Sequence, residues 1–287
     1  MRLIQCSFML LLTGLMSSCG FVQTAYNKAP QALSWWLDDY FDFTQSQQSA
    51  LNPALNRLHV WHRQHQLPLY INTLKDLQSN VSKARISTGE VCEITDNVKS
   101  LFGELQLASI PIIVDIAPLL SDKQLQYFQT KLDKRAQKWK SEWWQEAPDA
   151  QIEVRLEKIE SFSEKLYGEL SESQQTLLKQ SLTIAPINPA LSYAEILRRN
   201  TDAYDIIYAL NKQPISTENK ANLVKAGFDR LKKSPNPAYQ AYANQINQRT
   251  CEIIADLHNS TNAKQKQHAN DWLEGYIKDF THLSTVK

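Results

Sequence analysis

The chain has 287 residues, with 31 lysines and arginines against 30 aspartates and glutamates, for a formal net charge of +1. This balance excludes a strongly basic nucleic-acid-binding protein and a polybasic membrane-surface protein. Only seven glycines are present. Leu, Ala, Gln, Lys and Glu are plentiful, so the composition predicts an all-α protein with a sizeable core.

The N-terminus has the features of a secretory signal: a basic Arg2, a short apolar run and small residues before Cys19. The apolar run is too short to cross ~30 Å of hydrocarbon. The sequence M-S-S-C at 16–19 resembles a bacterial lipobox, although Met replaces the usual Leu. The resemblance implies a signal peptide over 1–18 and acylation of Cys19. The alternative is an ordinary signal peptide that ends near Cys19 by chance.

The residue after the predicted lipidated cysteine is Gly20, where Asp would mark retention in the inner membrane. The resemblance therefore implies an outer-membrane lipoprotein on the periplasmic face. Several acyl chains would give stable anchoring where one is marginal. Residues 19–30 are then a tether, and the membrane, reached through acylated Cys19, is the first expected partner.

Cysteine usage also indicates an oxidising compartment. Cys6 would leave with the signal peptide and Cys19 would be lipidated, so the mature chain would keep Cys92 and Cys251. An even pair in such a compartment predicts a disulfide between Cys92 and Cys251. Two buried thiols are the alternative.

Helix starts recur as a Ser, Thr or Asn three residues before a polar side chain, which is the spacing of a capping box. The strongest have Gln at the third position, Ser87 with Glu90 is a carboxylate variant, and two are weaker. They begin at Thr44, Ser87, Ser121, Ser171, Ser216 and Asn262. Amphipathic periodicity between these starts predicts a multi-helix bundle of roughly nine or ten helices packed as hairpins.

Prolines and spacing suggest how these helices are organised. The β-rich run at 110–116 contains Pro111 and is predicted as a kinked helix. Pro53 and Pro68 should kink a periodic stretch. Residues 184–190 are the predicted boundary between helical subdomains at 31–185 and 186–287. The later box starts are about one helical hairpin apart, but the sequences between them do not indicate a true repeat.

Three phrases carry a resemblance: W-W-L-D-D-Y at 35–40, F-D-F-T-x-x-Q at 41–47, and W-H-R-x-x-x-L-P-x-Y at 61–70. They resemble a family of uncharacterised proteobacterial helical lipoproteins that is recorded as a domain of unknown function. The specific match covers roughly residues 21–78. Pro53 departs from the family pattern, in which a proline directly follows the Thr. The family resemblance implies a lipoprotein location and a helical fold, and it implies no enzymatic activity.

The Ser/Thr-x-x-Gln starts are also similar to the Leu-Thr-x-x-Gln motifs of the Spy and CpxP periplasmic chaperones. The matching starts lie at Thr44, Ser121 and Ser171. None has the Leu-Thr pair, and those chaperones are about half as long. This resemblance implies a chaperone or envelope-stress role as an alternative function.

The W-W-L-D-D-Y helix should direct Trp36 and Tyr40 to the core and leave Trp35 beside the acidic Asp38 and Asp39. The carboxylates diverge by about 100° on a helix, which is poor geometry for an acid–base couple. They could instead pair with Arg57, Arg63 or a later basic residue. The candidate binding surface comprises Trp35, Asp38, Asp39, Trp61, His62 and Arg63.

Catalytic and metal chemistry find little support in the sequence. His59, His62 and His65 recur every three residues, so neighbouring pairs could share a metal, but no cysteine completes a four-ligand site. No G-x-S-x-G is present. Trp139, Trp143 and Trp144 are predicted as core, with an interfacial surface as the alternative.

The predicted function is non-enzymatic binding or scaffolding of an unknown protein partner in the cell envelope, without catalytic residues, metal or cofactor. Nucleic acid is not an expected partner, because the charge is balanced. An envelope-stress chaperone and an envelope enzyme remain as alternatives. A chaperone would bind many unfolded clients, a scaffold would bind one partner saturably, and an enzyme needs ionisable groups in a cleft.

Overall fold

A computed structural model describes residues 19–144, 147–185 and 187–285, and every element there is helical, which confirms the all-α class. The predicted signal peptide at 1–18 lies outside the described residues. The α-helices, numbered α1 to α12 in chain order, are Cys19–Asn27, Ala29–Phe41, Gln45–Trp61, Leu67–Val81, Thr88–Ile116, Asp122–Trp143, Pro148–Tyr167, Glu172–Thr183, Pro189–Lys212, Thr217–Lys232, Pro237–Ser260 and Ala263–Thr285.

The helices outnumber the nine or ten predicted, partly because Pro68 divides one periodic stretch. A π-helical turn, His62–Gln66, separates α3 from α4, and the Leu67 N–H donates to the His62 carbonyl. Pro68 has no N–H and its ring would crowd an α-helical carbonyl, so the wider turn accommodates it. By contrast, α3 and α5 continue through Pro53 and Pro111.

The capping boxes predicted from the sequence are present. Both reciprocal bonds form at Thr44, Ser87, Ser121 and Ser171. Ser216 makes only the cap bond to the Asn219 N–H. Each full box satisfies two backbone donors that a helix N-terminus would otherwise leave unpaired.

Two of these boxes meet tip to tip. Gln47 and Gln124 exchange amide hydrogen bonds of 3.0 and 2.8 Å. The Gln47 Nε2 also donates to the Leu119 carbonyl at 2.6 Å, and the Gln124 Nε2 donates to the Asp42 carbonyl at 2.9 Å. Each accepted carbonyl lies two residues before the opposite cap. We call this arrangement the first joint.

The same arrangement recurs between α8 and α12. Gln174 and Gln265 exchange amide hydrogen bonds of 3.0 and 2.8 Å. Gln174 donates to the Ser260 carbonyl at 3.2 Å and Gln265 to the Glu169 carbonyl at 2.9 Å. Asn262 serves as the cap, accepting from the Gln265 N–H at 2.9 Å. We call this the second joint.

The two joints belong to two units with the same helix packing. In unit one (α2, α3, α5 and α6), α3 packs on α2 and α5, and α2 packs on α6. In unit two (α7, α8, α11 and α12), α8 packs on α7 and α11, and α7 packs on α12. The helices inserted in each unit cross over: α4 packs on α12, and α9 packs on α6. The units also pack directly on each other through α5 and α11.

The two units therefore share a repeated arrangement of four helices, which the spacing of the boxes alone did not indicate. Residues 47–55 and 174–182 both read Gln-Gln followed by Leu at the fifth and ninth positions. Residues 112–116 (I-I-V-D-I) match 253–257 (I-I-A-D-L). Inserted helices obscure this repeat in the sequence, because α4 follows α3 in unit one, whereas α9 and α10 follow α8 in unit two. The predicted subdomain boundary at 184–190 falls between α8 and α9 and stays a prediction.

Each unit has its own apolar core, and a disulfide joins the units. Phe43, Leu51 and Ile116 are buried in unit one, and Leu178 and Leu273 in unit two. The predicted disulfide is present: Cys92 on α5 and Cys251 on α11 are bonded at 2.09 Å, with Cα atoms 5.4 Å apart. The bond links the two helices through which the units pack.

One helical stretch among the described residues, Thr88–Leu119, has the length and apolar composition of a membrane span. It includes all of α5, which packs against α3, α4, α10 and α11. The helix therefore connects several parts of the bundle, and we infer no membrane crossing from its hydropathy.

Candidate functional site

The W-W-L-D-D-Y phrase lies in the C-terminal half of α2, in which no residue is fully buried. Trp35 is 67% exposed, as its predicted surface position requires, but Trp36 is 53% exposed and its predicted place in the core is wrong. Tyr40 is partly buried, and its ring lies 4.9 Å from that of Trp36. Because α2 lies at the edge of unit one, the outer part of its apolar face meets no neighbouring helix.

The two carboxylates of this phrase hold helices in place. Asp38 accepts the Phe43 N–H at 2.9 Å and the Gln48 amide at 3.2 Å, so it supports the turn into α3. Asp39 pairs with Lys131 of α6 at 2.5 Å. Lys131 is therefore the later basic residue that the sequence analysis gave as one possible partner of these carboxylates. Their contacts place both groups in packing roles.

The W-H-R phrase lies at the π-helical turn, where His62 is held between two phenols. Its Nδ1 is 2.9 Å from the Tyr26 hydroxyl and its Nε2 is 3.3 Å from the Tyr70 hydroxyl. Burial and, to a smaller extent, the nearby His59 together lower the pKa of His62 to about 4. The ring is therefore neutral at pH 7, and its free lone pair accepts a hydrogen bond from a phenol.

Arg63 and Trp61 extend this packing. The Arg63 guanidinium donates to the Leu283 carbonyl at 2.8 Å and to the Asn27 side chain at 2.6 Å, and it lies 5.1 Å from the Tyr26 ring centroid. Trp61 stacks on His65. The W-H-R residues thus join α1 and α12, whereas the W-W-L-D-D-Y carboxylates contact α3 and α6. The structure shows no contact between the two halves of the predicted surface among its described residues.

A groove with a volume of about 450 Å³ lies between α7 and α11, and a second, of about 330 Å³, lies beside α2. We call the second the docking groove. It is formed by α2, α5, α6, α9 and α10, with Trp36 at one side. Its apolar wall consists mainly of Ile113, Phe128, Leu132, Ile206, Val224 and Phe228. Small-molecule and side-chain pockets commonly span about 300–1,000 Å³ and are mostly apolar.

Arginines border the docking groove, and most of them are held by carboxylates. Glu195 is only 2% exposed and accepts hydrogen bonds from Arg198, Arg199 and Ser234. Burial alone would raise the pKa of Glu195, but these hydrogen bonds outweigh it and lower the pKa to about 2. The buried carboxylate stays ionised and fixes both arginines.

Arg135 differs from its neighbours. It donates to the Tyr40 hydroxyl at 3.3 Å, and among residues 19–144, 147–185 and 187–285 no carboxylate oxygen forms a salt bridge with it. A cation beside Trp36 and Tyr40 can therefore meet an acidic group brought by a partner. Sequence analysis missed Arg135 because nothing in the local pattern places α6 next to α2.

The metal and aromatic hypotheses can be compared with the geometry. No group of three His, Cys, Asp or Glu residues able to hold a metal occurs within the part of the chain that the structure describes.

Trp139 stacks on Tyr193, and Lys158 lies 4.6 Å from the Trp143 ring centroid. Residues 139–144 thus contact α7 and α9 rather than forming one core.

A family of unknown function, DUF6279, matches residues 39–225, which is more than half of the chain. The chain belongs to this family. The DUF6279 match begins within α2 and ends within α10, so it includes the first joint and Gln174 but leaves out α11 and α12. No curated protein and no solved structure matches the chain.

Proposed function

We propose that this DUF6279 protein is a lipid-anchored envelope protein that binds a partner, without catalysis, through the docking groove. The main support for this proposal is the exposure of α2, which has no buried residue and places the half-exposed Trp36 at the rim of an apolar groove. Trp, Tyr and Arg are enriched among the residues that dominate binding energy at interfaces. Trp36, Tyr40 and Arg135 supply all three.

The groove chemistry suggests what kind of partner would bind. The apolar wall favours a partner segment with large aliphatic or aromatic side chains. Arg135 favours an acidic residue next to that segment, because a charge pair at a groove rim improves orientation and specificity. A binding role also agrees with the packing contacts of Asp38, Asp39 and His62, which leave these candidate groups engaged within the fold.

The proposed location is the outer membrane, facing the periplasm, with Cys19 acylated. The lipobox-like sequence before Cys19 supports this location, and so does a disulfide at Cys92, since disulfides persist in oxidising compartments. Metabolic labelling with an alkyne palmitate tests it. We expect labelling of the full chain and none of Cys19→Ala, while labelling that survives the substitution would reject the anchor.

In-cell photo-crosslinking tests the docking groove. A benzoylphenylalanine at position 36 of the anchored full chain should give one dominant adduct, identified by mass spectrometry. The matched control is position 102, where the native Phe102 is 61% exposed on α5 and lines none of the grooves described above. Arg135→Glu should weaken the adduct at position 36 because it reverses the charge at the rim. No adduct at position 36, or equal adducts at 36 and 102, would contradict the proposal.

A chaperone role is the second candidate, and one observation favours it. Large apolar side chains are more than 60% exposed on separate helices and in the turn after α8: Phe21, Phe102, Phe162 and Ile184. Scattered exposed apolar surface suits many unfolded clients. A broad set of adducts from both positions 36 and 102, together with suppressed aggregation of unrelated unfolded proteins, would favour this role over docking of one partner.

A further inference from the structure

The groove of about 450 Å³ in unit two has the shape of an elongated slot. Its walls are α7 and α11, and its floor includes Leu182 of α8. At one end, which we call the closed end, the Tyr167 hydroxyl of α7 meets His258 Nδ1 of α11 at 3.0 Å, so the two walls are joined there. From there the lining extends to Arg155 on α7 and Ile246 on α11. At 1.5 Å per residue each wall is about 16–18 Å long.

The equivalent space in unit one is filled by the protein itself. By the alignment of the repeat, α2 and α5 correspond to α7 and α11, and only about 80 Å³ remains between them. Phe41 and Ile207, the latter from the inserted α9, occupy that space. Gly168 takes the place of Phe41 in unit two. The slot there is wider because these apolar side chains have no counterpart.

The open end of the slot is cationic. Arg155 is partly buried, and its NH1 donates to the Gln151 carbonyl at 2.8 Å, while Lys158 lies 4.6 Å above the Trp143 ring. Neither cation forms a salt bridge within the described residues, whereas Arg249 nearby is paired with Glu252. Burial of the guanidinium also lowers the pKa of Arg155.

We propose that this slot binds one long-chain fatty carboxylate, with the acyl chain along the α7–α11 walls and the carboxylate at Arg155 and Lys158. Three features agree with this ligand: a long apolar slot between two helices, walls that are joined at the far end, and two cations at the opening that form no salt bridge with any residue the structure describes. The volume suits a single acyl chain, whereas a diacyl phospholipid carries two. The assignment is independent of the docking groove, which lies between unit one and the helices α9 and α10 and shares no lining residue with the slot.

A photoreactive fatty acid tests the assignment on the full chain in its native membrane. Palmitate carrying a diazirine near its methyl end should label peptides around Tyr167 and Leu257, at the closed end. Arg155→Gln should reduce labelling about ten-fold, because it removes a charge-assisted hydrogen bond to the carboxylate. Lys179→Gln, a change of an exposed lysine on α8 paired with Glu153, is the matched control and should label as the wild type does.

A second variant keeps the charges and fills the slot. Ile254 is 42% exposed and lines the groove, so Ile254→Trp should block the acyl chain and abolish labelling while the helical circular dichroism stays unchanged. The proposal is overturned if the corresponding photoreactive fatty alcohol labels equally well, if labelling falls outside the slot, or if a single-chain phospholipid competes as well as palmitate.

Discussion

At the first joint the turn before the cap contains Asp42 at φ 50°, ψ 62°, and the glutamine pair borders an open cleft lined by Thr44 and Ser121. At the second joint the corresponding turn contains Gly168 at φ 75°, ψ −161°, and Gln174 is only 3% exposed beside the core of unit two. The hydrogen bonds are the same, but their surroundings differ. Water can replace a lost bond at the first joint more readily than at the second.

The largest expected effect concerns the bond between the units. Replacing both Cys92 and Cys251 by Ala should lower the free energy of unfolding by ~3–5 kcal/mol, because the crosslink restricts a long loop in the unfolded chain. Urea denaturation with and without reductant measures it. Reductant should destabilise the wild type and leave the double variant unchanged, and an equal response of both would show that no disulfide forms.

The joints themselves should respond unequally to the same truncation. Gln174→Ala removes the amide hydrogen bonds that Gln174 exchanges with Gln265 and the donor to the Ser260 carbonyl, and it should lower the free energy of unfolding by about 3 kcal/mol. Gln47→Ala should lower it by only about 1–2 kcal/mol, since the adjoining cleft admits water. Chemical denaturation measures both. The exposed Gln175→Ala is the control, and equal losses at Gln47 and Gln174 would contradict the comparison.

These joints also show what could be predicted from the sequence. The boxes at Thr44, Ser121 and Ser171 depend on residues three apart, so local spacing was sufficient to predict them. The pairing of their glutamines depends on which helix tips meet, and that follows from tertiary packing. The Cys92–Cys251 bond was predictable because counting left a single pair.

The candidate site was predicted less well for a similar reason. Helical periodicity placed Trp35 on the surface correctly, but it assigned Trp36 to the core because a pattern reports an apolar face without reporting whether a neighbour covers it. The partners of His62 and Arg63 lie on α1, α4 and α12. Contacts between residues so far apart in sequence leave no local signal.

The two turns before the caps provide a smaller test. Gly168→Ala should lower the free energy of unfolding by about 1–3 kcal/mol, because positive φ with ψ near 180° is essentially restricted to glycine. The added Cβ would lie 3.5 Å from the His268 ring, an ordinary contact, so the loss would report backbone strain. Asp42→Gly should change stability by less than about 1 kcal/mol, since Asp tolerates the left-handed region. Thermal denaturation of both variants measures the two stability losses. A larger loss for Asp42→Gly than for Gly168→Ala would contradict the prediction.

The smallest expected effect is the pH dependence of stability that comes from His62. Burial depresses the folded pKa of His62 from 6.5 to about 4, so its neutral form favours the fold. The associated stability is fully present above pH 6.5 and is lost as pH falls towards 4. We expect a loss of about 1 kcal/mol, because the ring is partly exposed and solvent screens the effect. Urea denaturation at pH 7 and pH 4.5 measures it. The stability of His62→Gln should depend less steeply on pH than that of the wild type, while substitution of the exposed His65 should leave the dependence unchanged. Equal slopes for the wild type and His62→Gln would assign the acid sensitivity to another group. His258, near the C-terminal end of α11, would be the next residue to test, since burial lowers its pKa as well.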